Sequence, residues 1–525
     1  MKFNSVIKLS IVVRRFICLL LLVLVLPVTA GSNDYVVGGI VFLDKNKNGK
    51  PDPGEPGIKG IAVSNGEEVV LTNAAGKWEL PIGDGPGVFV IKPSGYAVPL
   101  NQDNIPQHYF LYEVEGEPVV RSPDEIHFPL YESVEEQRFS VLFFADTQAR
   151  GLREVNFILR DVVEECIGTD AALGVSLGDI VADDPGLFAE ISQGIGKIGI
   201  PWYNIFGNHD NDRDAKTNSE RDATFRRFFG PSTYAFEYGQ VAFIGLNNIY
   251  FPEEGRYRTH FSEKQLKFVE NYLDYVPDHM LVVLMMHAPL VRSENRERLY
   301  EILKDRMHTF SISGHVHRQI NLFIDEEMGW KDQEPHHHLI NATISGSWWC
   351  GLKDELGIPH ATMNDGAPNG YSVVSFDGNT YSVRFKAARR PACYQMNIYL
   401  PDEMKEHETD TTTVLVNIFA GSGRSKVEML VDDHGKWIPM EHVETIDPEC
   451  LRMHRLNPVL DQKFNGQPLD RILGWKMDYP SVSTHMWQAK LPEGLKPGTH
   501  MVTIRTTDMY NQEWTSHRIF RVRSN

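Results

Sequence analysis

Five apolar segments of this chain are each followed by polar side chains of the kinds that bind metal ions. The polar segments are Asp146-Thr147-Gln148, Gly178-Asp179, Gly207-Asn208-His209-Asp210, His287, and Gly314-His315-Val316-His317. Short apolar runs that alternate with amphipathic helical stretches are typical of a layered α/β fold. Because the carboxyl ends of strands in such a sheet form one edge, we expect these side chains to converge there.

The length of 525 residues predicts about three domains at roughly 150 residues each. Strand-like segments broken by Gly and Pro predict β-sandwiches before and after the α/β region. The predicted boundaries are a signal peptide at 1–30, an N-terminal β-sandwich at 31–133, the α/β domain at 134–386, and an immunoglobulin-like β domain at 387–525.

Residues 1–30 have the composition of a secretory signal peptide. Four basic residues (Lys2, Lys8, Arg14 and Arg15) precede the apolar run 16–27, and small residues end the segment at Ala30. A membrane anchor is the alternative, but the run is shorter than the roughly 20 apolar residues that span a bilayer. We therefore expect a secreted or periplasmic protein that has no stable membrane span after the signal is removed.

The formal net charge of −18 disfavours one class of partner. Affinity for phosphate backbones comes from Lys and Arg, so binding to a nucleic-acid duplex is not expected. The five cysteines are widely and irregularly spaced, which does not predict a disulfide framework. One or two bridges among Cys166, Cys350, Cys393 and Cys450 remain open.

The N-terminal β region contains a twelve-residue segment with the ligand spacing of a calcium loop. Its predicted ligands are Asp44, Asn46, Asn48, Lys50 (through the backbone carbonyl), Asp52 and Glu55, with Gly49 at the tight turn. Strand patterns flank the segment where an EF-hand has helices, and it is similar to the calcium loops of bacterial surface adhesins. We predict a structural Ca²⁺ here; the alternative is a solvated Asn-Gly turn.

The ligand types of the central region are those of a site with two metal ions. Two cations about 3.5–4 Å apart need a carboxylate to bridge them, neutral nitrogen and oxygen ligands on each side, and an open position for water and phosphate. Asp179 is the candidate bridge. A hydrolytic reaction by attack of metal-activated water is the chemistry that such a site supports.

These segments resemble the pattern of the calcineurin-like metallophosphoesterase superfamily, D-x-H, G-D, G-N-H-[DE], a strand-terminal His, and G-H-x-H. The resemblance implies a metallophosphoesterase β-sandwich flanked by helices. It implies that Asp146, Gln148, Asp179 and His317 hold one metal, and that Asp179, Asn208, His287 and His315 hold the other. It also implies a catalytic role for His209, which would contact the phosphate or protonate the leaving oxygen, with Asp210 orienting its ring.

The first motif departs from the family pattern because Gln148 stands where His is common. An amide oxygen is a harder ligand than imidazole, which favours Mn²⁺ or Mg²⁺ there and leaves Fe or Zn²⁺ as alternatives. The same replacement is found in relatives similar to manganese-dependent ADP-ribose and CDP-alcohol diphosphatases. The alternative is that Gln148 does not bind metal and that the first metal site is weakened.

Other residues have two interpretations each. Trp348, Trp349 and Asp365 would bind substrate, or the tryptophans would belong to an interface core. Asp183 and Asp184 would direct hydrogen bonds near the metals or begin the next helix, which we favour. His336, His337 and His338 are predicted to begin a strand rather than to bind metal.

The arrangement also looks like that of secreted bacterial phosphoesterases with accessory β modules. We therefore predict a secreted dinuclear-metal phosphoesterase that acts on a small phosphate ester. The alternatives are a phosphodiester or pyrophosphate hydrolase of nucleotide-type substrates, and a non-catalytic adhesion protein with a relic core. The sequence alone does not name the substrate, because the less specific loops decide the leaving group.

Overall fold

The computed structural model describes residues 36–82, 85–114, 117–118, 126–253, 256–331, 334–432 and 435–524. The predicted signal peptide at 1–30 lies outside these residues. Cys166, Cys350, Cys393 and Cys450 are all free thiols. Within the described ranges, no helix combines the length and the apolarity needed to cross a bilayer.

The N-terminal region is a sandwich of two four-stranded sheets. Its strands are β1 (Val36–Leu43), β2 (Ala62–Ser64), β3 (Val69–Leu71), β4 (Lys77–Pro81), β5 (Gly87–Val90), β6 (Tyr96–Ala97), β7 (Tyr109–Leu111), β8 (Glu113–Val114), β9 (Glu117–Pro118) and β10 (Phe128–Glu132). One sheet has the order β4-β1-β10-β6 and the other β3-β2-β5-β7. Val41 and Trp78 of the first sheet pack against Val63 and Val88 of the second.

The central region alternates strands and helices, as its sequence pattern predicts. Its strands are β11 (Arg138–Phe144), β12 (Leu173–Ser176), β13 (Trp202–Asn204), β14 (Tyr234–Tyr238), β15 (Val241–Leu246), β16 (Ile249–Tyr250), β17 (Arg258–Thr259), β18 (Leu281–Met286), β19 (Thr309–Ser313), β20 (Ile320–Ile324), β21 (His336–Ile340), β22 (Gly351–Leu352), β23 (Gly370–Asp377) and β24 (Thr380–Ala387). Its α-helices are α1 (Leu152–Ile158), α2 (Glu164–Cys166), α3 (Phe188–Ile195), α4 (Ala223–Phe229), α5 (Glu263–Leu273) and α6 (Arg296–Leu303). A π-helical segment, Leu159–Val163, joins α1 to α2.

Most of these strands form two mixed sheets that pack face to face. The five-stranded sheet has the order β13-β12-β11-β23-β24, and the six-stranded sheet has the order β14-β15-β18-β19-β21-β20. The strands β11, β12 and β13 are parallel, as are β15, β18, β19 and β21. Antiparallel strands complete both sheets.

Successive side chains of β11 point to opposite faces of the sheet, and each face packs against a core. Val141 and Phe143 point into the core between the two sheets. Leu142 and Phe144 point to the opposite face, where they belong to the core that also contains residues of α1 and α3. A strand covered on both faces reads as a continuous apolar run, which is the pattern seen in the sequence.

The C-terminal region is a third two-sheet sandwich, which contains an insertion of short elements. Its elements are β25 (Met396–Tyr399), β26 (Glu403–Lys405), β27 (Thr413–Ile418), β28 (Lys426–Val431), β29 (Ile438–Pro439), β30 (Glu441–Ile446), α7 (Pro448–His454), α8 (Asn457–Leu460), β31 (Lys463–Phe464), β32 (Gln467–Pro468), α9 (Leu469–Leu473), β33 (Gly474–Trp475), β34 (Val482–Lys490), β35 (Gly498–Thr507) and β36 (Glu513–Arg523). The sheets have the orders β25-β27-β34-β30 and β26-β36-β35-β28-β29. The strand β33 of the insertion pairs with β22 of the central region.

The predicted fold class is confirmed, with one difference in how the ligand segments meet. The sequence predicts convergence at the edge of one sheet, whereas the segments here follow strands of two sheets. β11, β12 and β13 of the five-stranded sheet precede the first three segments, and β18 and β19 of the six-stranded sheet precede the last two. The two sheets end side by side because one core packs between them.

Phe236 tests how far this shared core stabilises the central region. Its buried ring stacks on Tyr203 of the opposite sheet at 3.8 Å between centroids and on Phe243 at 4.8 Å. We expect Phe236→Ala to lower the free energy of unfolding by about 3–5 kcal/mol, because the cavity stays largely unfilled. Urea unfolding followed by tryptophan fluorescence measures the change. The control is Met307→Ala, whose side chain is 88% exposed; an equal loss there would contradict the assignment.

Candidate metal centre

The strand ends place all seven predicted ligands at one end of the central sandwich. Asp146 and Gln148 follow β11, Asp179 follows β12, and Asn208 follows β13. His287 follows β18 directly, while His315 and His317 follow β19. Hydrogen bonds and short nitrogen–oxygen distances connect these side chains, as detailed below, so residues up to 171 positions apart (317 − 146) share one site.

The backbone at this site is held in the left-handed region that non-glycine residues rarely adopt. Positive φ values occur at Asp146 (48°), Gln148 (40°), Asp179 (49°), His315 (77°) and His317 (53°). Each such residue costs of order 1–3 kcal/mol, and these conformations cluster at functional sites. The tight turns direct the side chains back over the sheet edge.

Glycine in the GNHD segment allows the closest approach between two ligand loops. A Cβ atom on Gly207 would lie 2.1 Å from the backbone nitrogen of Asp179 and 2.3 Å from its Oδ1. Gly314 has the same role on the other sheet, where a Cβ would lie 2.4 Å from Oδ2 of Asp146. These glycines are therefore required by packing against the ligands.

Asp179 is the most connected side chain of the centre. Its Oδ2 accepts a hydrogen bond from Nε2 of Gln148 at 2.9 Å and lies 3.1 Å from Nε2 of His287. Its Oδ1 accepts from the backbone N–H of His209 at 2.8 Å. The carboxylate therefore lies between the residues of the first predicted metal set and those of the second.

The second predicted set surrounds Nε2 of His287. This atom lies 3.1 Å from Oδ1 of Asn208 and 3.1 Å from Nδ1 of His315. The other ring nitrogen of His287 is directed at the backbone oxygen of Leu177 at 2.9 Å, which orients the imidazole. Among the described residues, ligand atoms of Asp179, His287 and His315 lie within 4.8 Å of one another and could hold one ion.

Asp179 and His287 each favour the charged form of the other. Burial acts to raise the pKa of Asp179, but His287, with smaller contributions from His209 and His315, outweighs it and holds that pKa below its usual value. Burial acts to lower the pKa of His287, but the Asp179 carboxylate raises it to about 9. Burial, assisted by His287, lowers the pKa of His315 to about 3. His315 therefore has a neutral imidazole at pH 7, the form that binds metal.

Two buried oxygens of the first predicted set have no hydrogen-bond partner among the described residues. They are Oδ1 of Asp146 and Oε1 of Gln148. Nε2 of His317 lies 3.5 Å from that Asp146 oxygen, and its Nδ1 bonds to the backbone oxygen of Gly346. Unpaired buried oxygens cost free energy, and together with the neutral His317 nitrogen they form the donor set of a cation site. The residues present therefore fit the first predicted metal.

His209 lies beside the centre, and its orienting partner differs from the prediction. Its Nδ1 is 2.7 Å from Oδ1 of Asp183, and the backbone N–H of Asp183 donates to the His209 oxygen at 3.1 Å. Asp210 is fully buried and instead accepts from the backbone N–H groups of Val181 and Gly207, at 3.1 and 2.9 Å. The Asp210 side chain is directed into its own loop and does not orient the His209 ring. Asp183 takes the orienting position that the sequence assigned to Asp210.

Asp183 and Asp184, for which the sequence left two interpretations open, have different roles in the structure. Asp183 faces His209 and also pairs with Arg213. Asp184 accepts a hydrogen bond from the backbone N–H of Gly186 at 3.0 Å and caps a short 3₁₀ turn. The helix-start prediction is therefore confirmed for Asp184 and wrong for Asp183.

The three residues predicted to contact substrate, Trp348, Trp349 and Asp365, differ in their exposure. The Trp348 ring packs against His209 and His317, at 5.2 and 5.6 Å between centroids, and the residue is 37% exposed. Trp349 is fully buried and donates from Nε1 to the Thr147 oxygen at 3.0 Å, so it belongs to the core. The prediction of substrate contact is therefore wrong for Trp349, whose indole faces away from solvent.

Asp365 is likewise not a substrate contact, because only 1% of it is exposed. Its Oδ2 accepts from the backbone N–H of Gln319 at 2.8 Å and lies 3.1 Å from Nε2 of His485. The carboxylate therefore connects the loop after His317 to the C-terminal sandwich.

Tyr257 is a site residue that no sequence motif marks. Its hydroxyl lies 3.3 Å from Nε2 of His315. The residue is in the connection between β16 and β17, where only the folded chain brings it near a ligand. By contrast, His336, His337 and His338 form part of the buried strand β21, and the strand prediction is confirmed.

Family models match three consecutive parts of the chain. The model described as calcineurin-like phosphoesterase matches residues 139–319. The models described as the N terminal and the C terminal of calcineurin-like phosphoesterase match residues 45–122 and 338–514. The chain belongs to the calcineurin-like phosphoesterase family. The predicted enzyme class, a metal-dependent phosphoester hydrolase, is thereby confirmed, and the C-terminal match includes Trp348.

Two solved structures show distant likeness. Purple acid phosphatase PPD1 from yellow lupin (Lupinus luteus) seeds has 11% identity and a TM-score of 0.35, over 62% of this chain and 66% of that chain, just under two thirds of it. CopC from Methylosinus trichosporium OB3b has 12% identity and a TM-score of 0.13, over 25% of this chain and 91% of that chain. No curated protein sequence matches the chain. TM-scores this low carry no weight, so the family assignment depends on the family models.

Gly207→Ala tests the packing of the ligand loops. The added methyl group must displace the backbone or the carboxylate of Asp179, since it would lie 2.1 Å from the nitrogen. We expect hydrolysis of p-nitrophenyl phosphate to fall at least about tenfold, as for other losses of ligand support. Gly423→Ala is the matched control, because a Cβ there meets nothing within 4 Å. Equal activities of the two variants would contradict this geometry.

Proposed function

We propose that this chain is a secreted phosphoesterase that uses two divalent metal ions to hydrolyse small phosphate esters. The observation that carries the proposal is the meeting of seven ligand-type side chains, from strands of two sheets, around Asp179. Secretion is proposed from the sequence of residues 1–30 alone. A small phosphate ester is the substrate class that the family assignment supports.

Two groups of residues would hold the metal ions. Asp146, Gln148, Asp179 and His317 form the first group, and Asp179, Asn208, His287 and His315 form the second. The partnerless oxygens of Asp146 and Gln148 support an ion in the first group. Because these are carboxylate and amide oxygens, we favour Mn²⁺ there over Fe or Zn²⁺.

When bound, two cations polarise phosphoryl oxygens and lower the pKa of a water molecule towards about 7. The residues of the chain provide the positions for the rest of the reaction. Asp183 binds Nδ1 of His209 and so leaves Nε2 of that ring for the phosphate or the leaving oxygen. Trp348, which is 37% exposed, packs against the rings of His209 and His317.

Two alternatives make different predictions. Gln148 and the exposed Trp348 would suit a phosphodiester or pyrophosphate hydrolase that acts on nucleotide-type substrates. A relic core in an adhesion protein would need no intact metal centre. The coupled set around Asp179 favours an active enzyme over the relic.

Asp179→Asn is the decisive variant, because it removes the negative charge between the two ligand groups. We expect hydrolysis of p-nitrophenyl phosphate with added Mn²⁺ to fall at least about 100-fold, beyond the 10–100-fold typical of residues that only orient a ligand. Metal analysis of the purified variant should show loss of bound transition metal.

Asp377→Asn is the matched control, since Asp377 pairs with Arg138 at the opposite end of β11. Its activity should equal that of the wild type. Full activity of Asp179→Asn would contradict the proposed function. A wild type that cleaves only bis(p-nitrophenyl) phosphate would move the assignment to a diesterase, and no turnover with no bound metal would favour the adhesion protein.

We also propose that the loop from Asp44 to Glu55 binds a structural Ca²⁺. Asp44 is buried and accepts from the backbone N–H groups of Asn48 and Gly49, at 3.3 and 2.7 Å. The side-chain amides of Asn46 and Asn48 donate to Oδ2 of Asp52 at 2.8 and 2.7 Å. These hydrogen bonds lower the pKa of Asp52. The side chains of Asn46 and Asn48 thus contact that of Asp52, and the Asp44 and Glu55 carboxylates accept from backbone N–H groups of the same loop. The Lys50 carbonyl stands at the seventh position of the motif.

Calcium should raise the melting temperature of the wild type by several degrees, because a ligand at about 100 times its Kd stabilises by about 2.7 kcal/mol. Differential scanning fluorimetry with saturating Mn²⁺ separates this effect from the catalytic metals. Glu55→Gln should abolish the shift, whereas the exposed Glu444→Gln should keep it. A calcium shift of the same size in Glu55→Gln would disprove the site.

A further inference from the structure

Beside the metal centre lies a group of aromatic and cationic side chains, of which only Trp348 has a place in the proposed reaction. We call it the aromatic-cationic rim, and it consists of Arg150, Trp348, Arg153, Trp475 and Lys353. Each indole of the rim has at least one cation over its ring. Such pairs hold a cation in a fixed position without neutralising its charge.

The first half of the rim contacts the metal centre directly. Trp348 packs on His209 and His317, as described above. The Arg150 guanidinium lies 5.6 Å from the centre of the Trp348 ring and donates to the backbone oxygen of that residue at 3.3 Å. Arg150 is also only two residues beyond the predicted ligand Gln148. This half of the rim therefore borders the predicted phosphate position.

The second half comes from the C-terminal insertion. Trp475 pairs with Gly351 between β33 and β22, and Gly351 is three residues from Trp348. Three residues span at most about 11 Å, so the backbones of the two halves lie close together. The Arg153 guanidinium is 4.3 Å, and the Lys353 ammonium 5.5 Å, from the centre of the Trp475 ring.

The charges of the rim are incompletely balanced. Arg150 pairs with Glu154 at 3.4 Å. Among the described residues, neither Arg153 nor Lys353 has a carboxylate within ion-pairing distance, although Asp470 is near enough to raise the pKa of Lys353. Burial and Arg153 together lower that pKa. Arg153 acts to lower the pKa of the neighbouring Glu154, and the Lys353 ammonium donates to the backbone oxygen of Arg471 at 2.8 Å, so both cations are balanced only in part. In a chain with a net charge of −18, partly balanced cations beside a catalytic centre favour an anionic ligand.

We propose that the aromatic-cationic rim binds a negatively charged group on the leaving group of the substrate, either a carboxylate or a second phosphate. The inference deepens the proposed function and depends on it. It gives the C-terminal region a role, because Trp475 of the insertion holds Arg153 and Lys353 in place. Arg153 and Lys353 supply charge-assisted hydrogen bonds to the anion. Arg150 lies at Trp348, on the side of the rim next to the predicted phosphate position.

Three aryl phosphates with similar ring electronics test the proposal. They are 4-methylphenyl phosphate, 4-(carboxymethyl)phenyl phosphate and 4-(phosphonomethyl)phenyl phosphate, which carry no further charge, a carboxylate and a phosphonate. We expect the wild type to have a kcat/KM at least about tenfold higher for one or both charged substrates, since hydrogen bonds to charged groups have that strength. The arm with the larger preference identifies the anion.

Arg153→Gln should abolish this preference, mainly through KM, because the anion lies away from the reacting phosphorus. Lys353→Met should reduce the preference in the same direction. Arg138→Gln is the matched control, since it removes an exposed Arg at the far end of β11 and should keep the preference. Melting temperatures of the variants separate loss of binding from loss of folding.

The outcomes distinguish the two proposals. No turnover of any aryl phosphate by the Mn²⁺-loaded wild type contradicts the proposed function, and the rim proposal with it. Turnover without a preference for a charged leaving group contradicts the rim proposal alone. An equal loss for all three substrates in Arg153→Gln also contradicts it and makes the rim a purely structural contact between α1 and the insertion.

Discussion

The packing of two sheets over one apolar core is the constraint on which the metal centre depends. Phe143 and Tyr203 of one sheet meet Phe236 and Phe243 of the other in this core, and the sheets consequently end side by side. Neither sheet has the complete ligand set. A shift of one strand's pairing register by a single residue would reverse which of its side chains face this core. The core therefore positions the ligands as much as the loops do.

The loops add strain and close packing to this frame. Positive φ values at Asp146, Asp179 and His315 bend the chain back over the strand ends, and Gly207 lets two loops touch. Unfavourable backbone conformations persist only where the surrounding structure enforces them. Buried charges are tolerated for the same reason, since Asp179 and His287 each stabilise the charged form of the other. A metal ion that binds at Nε2 of His287 therefore displaces the proton that Asp179 stabilises there.

The C-terminal sandwich contacts the loops that surround the metal centre. Asp365 and His485 connect it to the loop that follows His317. Its insertion also pairs β33 with β22, close to Trp348. A domain boundary drawn from sequence pattern alone separates these residues, and the extent of the C-terminal family match, which begins at 338, unites them.

The sequence by itself determined the alternation of strands and helices in the central region, the β-sandwich regions on either side and the seven ligand candidates, because strand burial and ligand chemistry leave local patterns. Only the tertiary structure decided that two sheets share the centre and that Asp183, rather than Asp210, contacts His209. It also decided that Trp349 and Asp365 are buried and that Tyr257 is near His315. These are contacts between loops distant in sequence, and no local pattern encodes which way a loop side chain points.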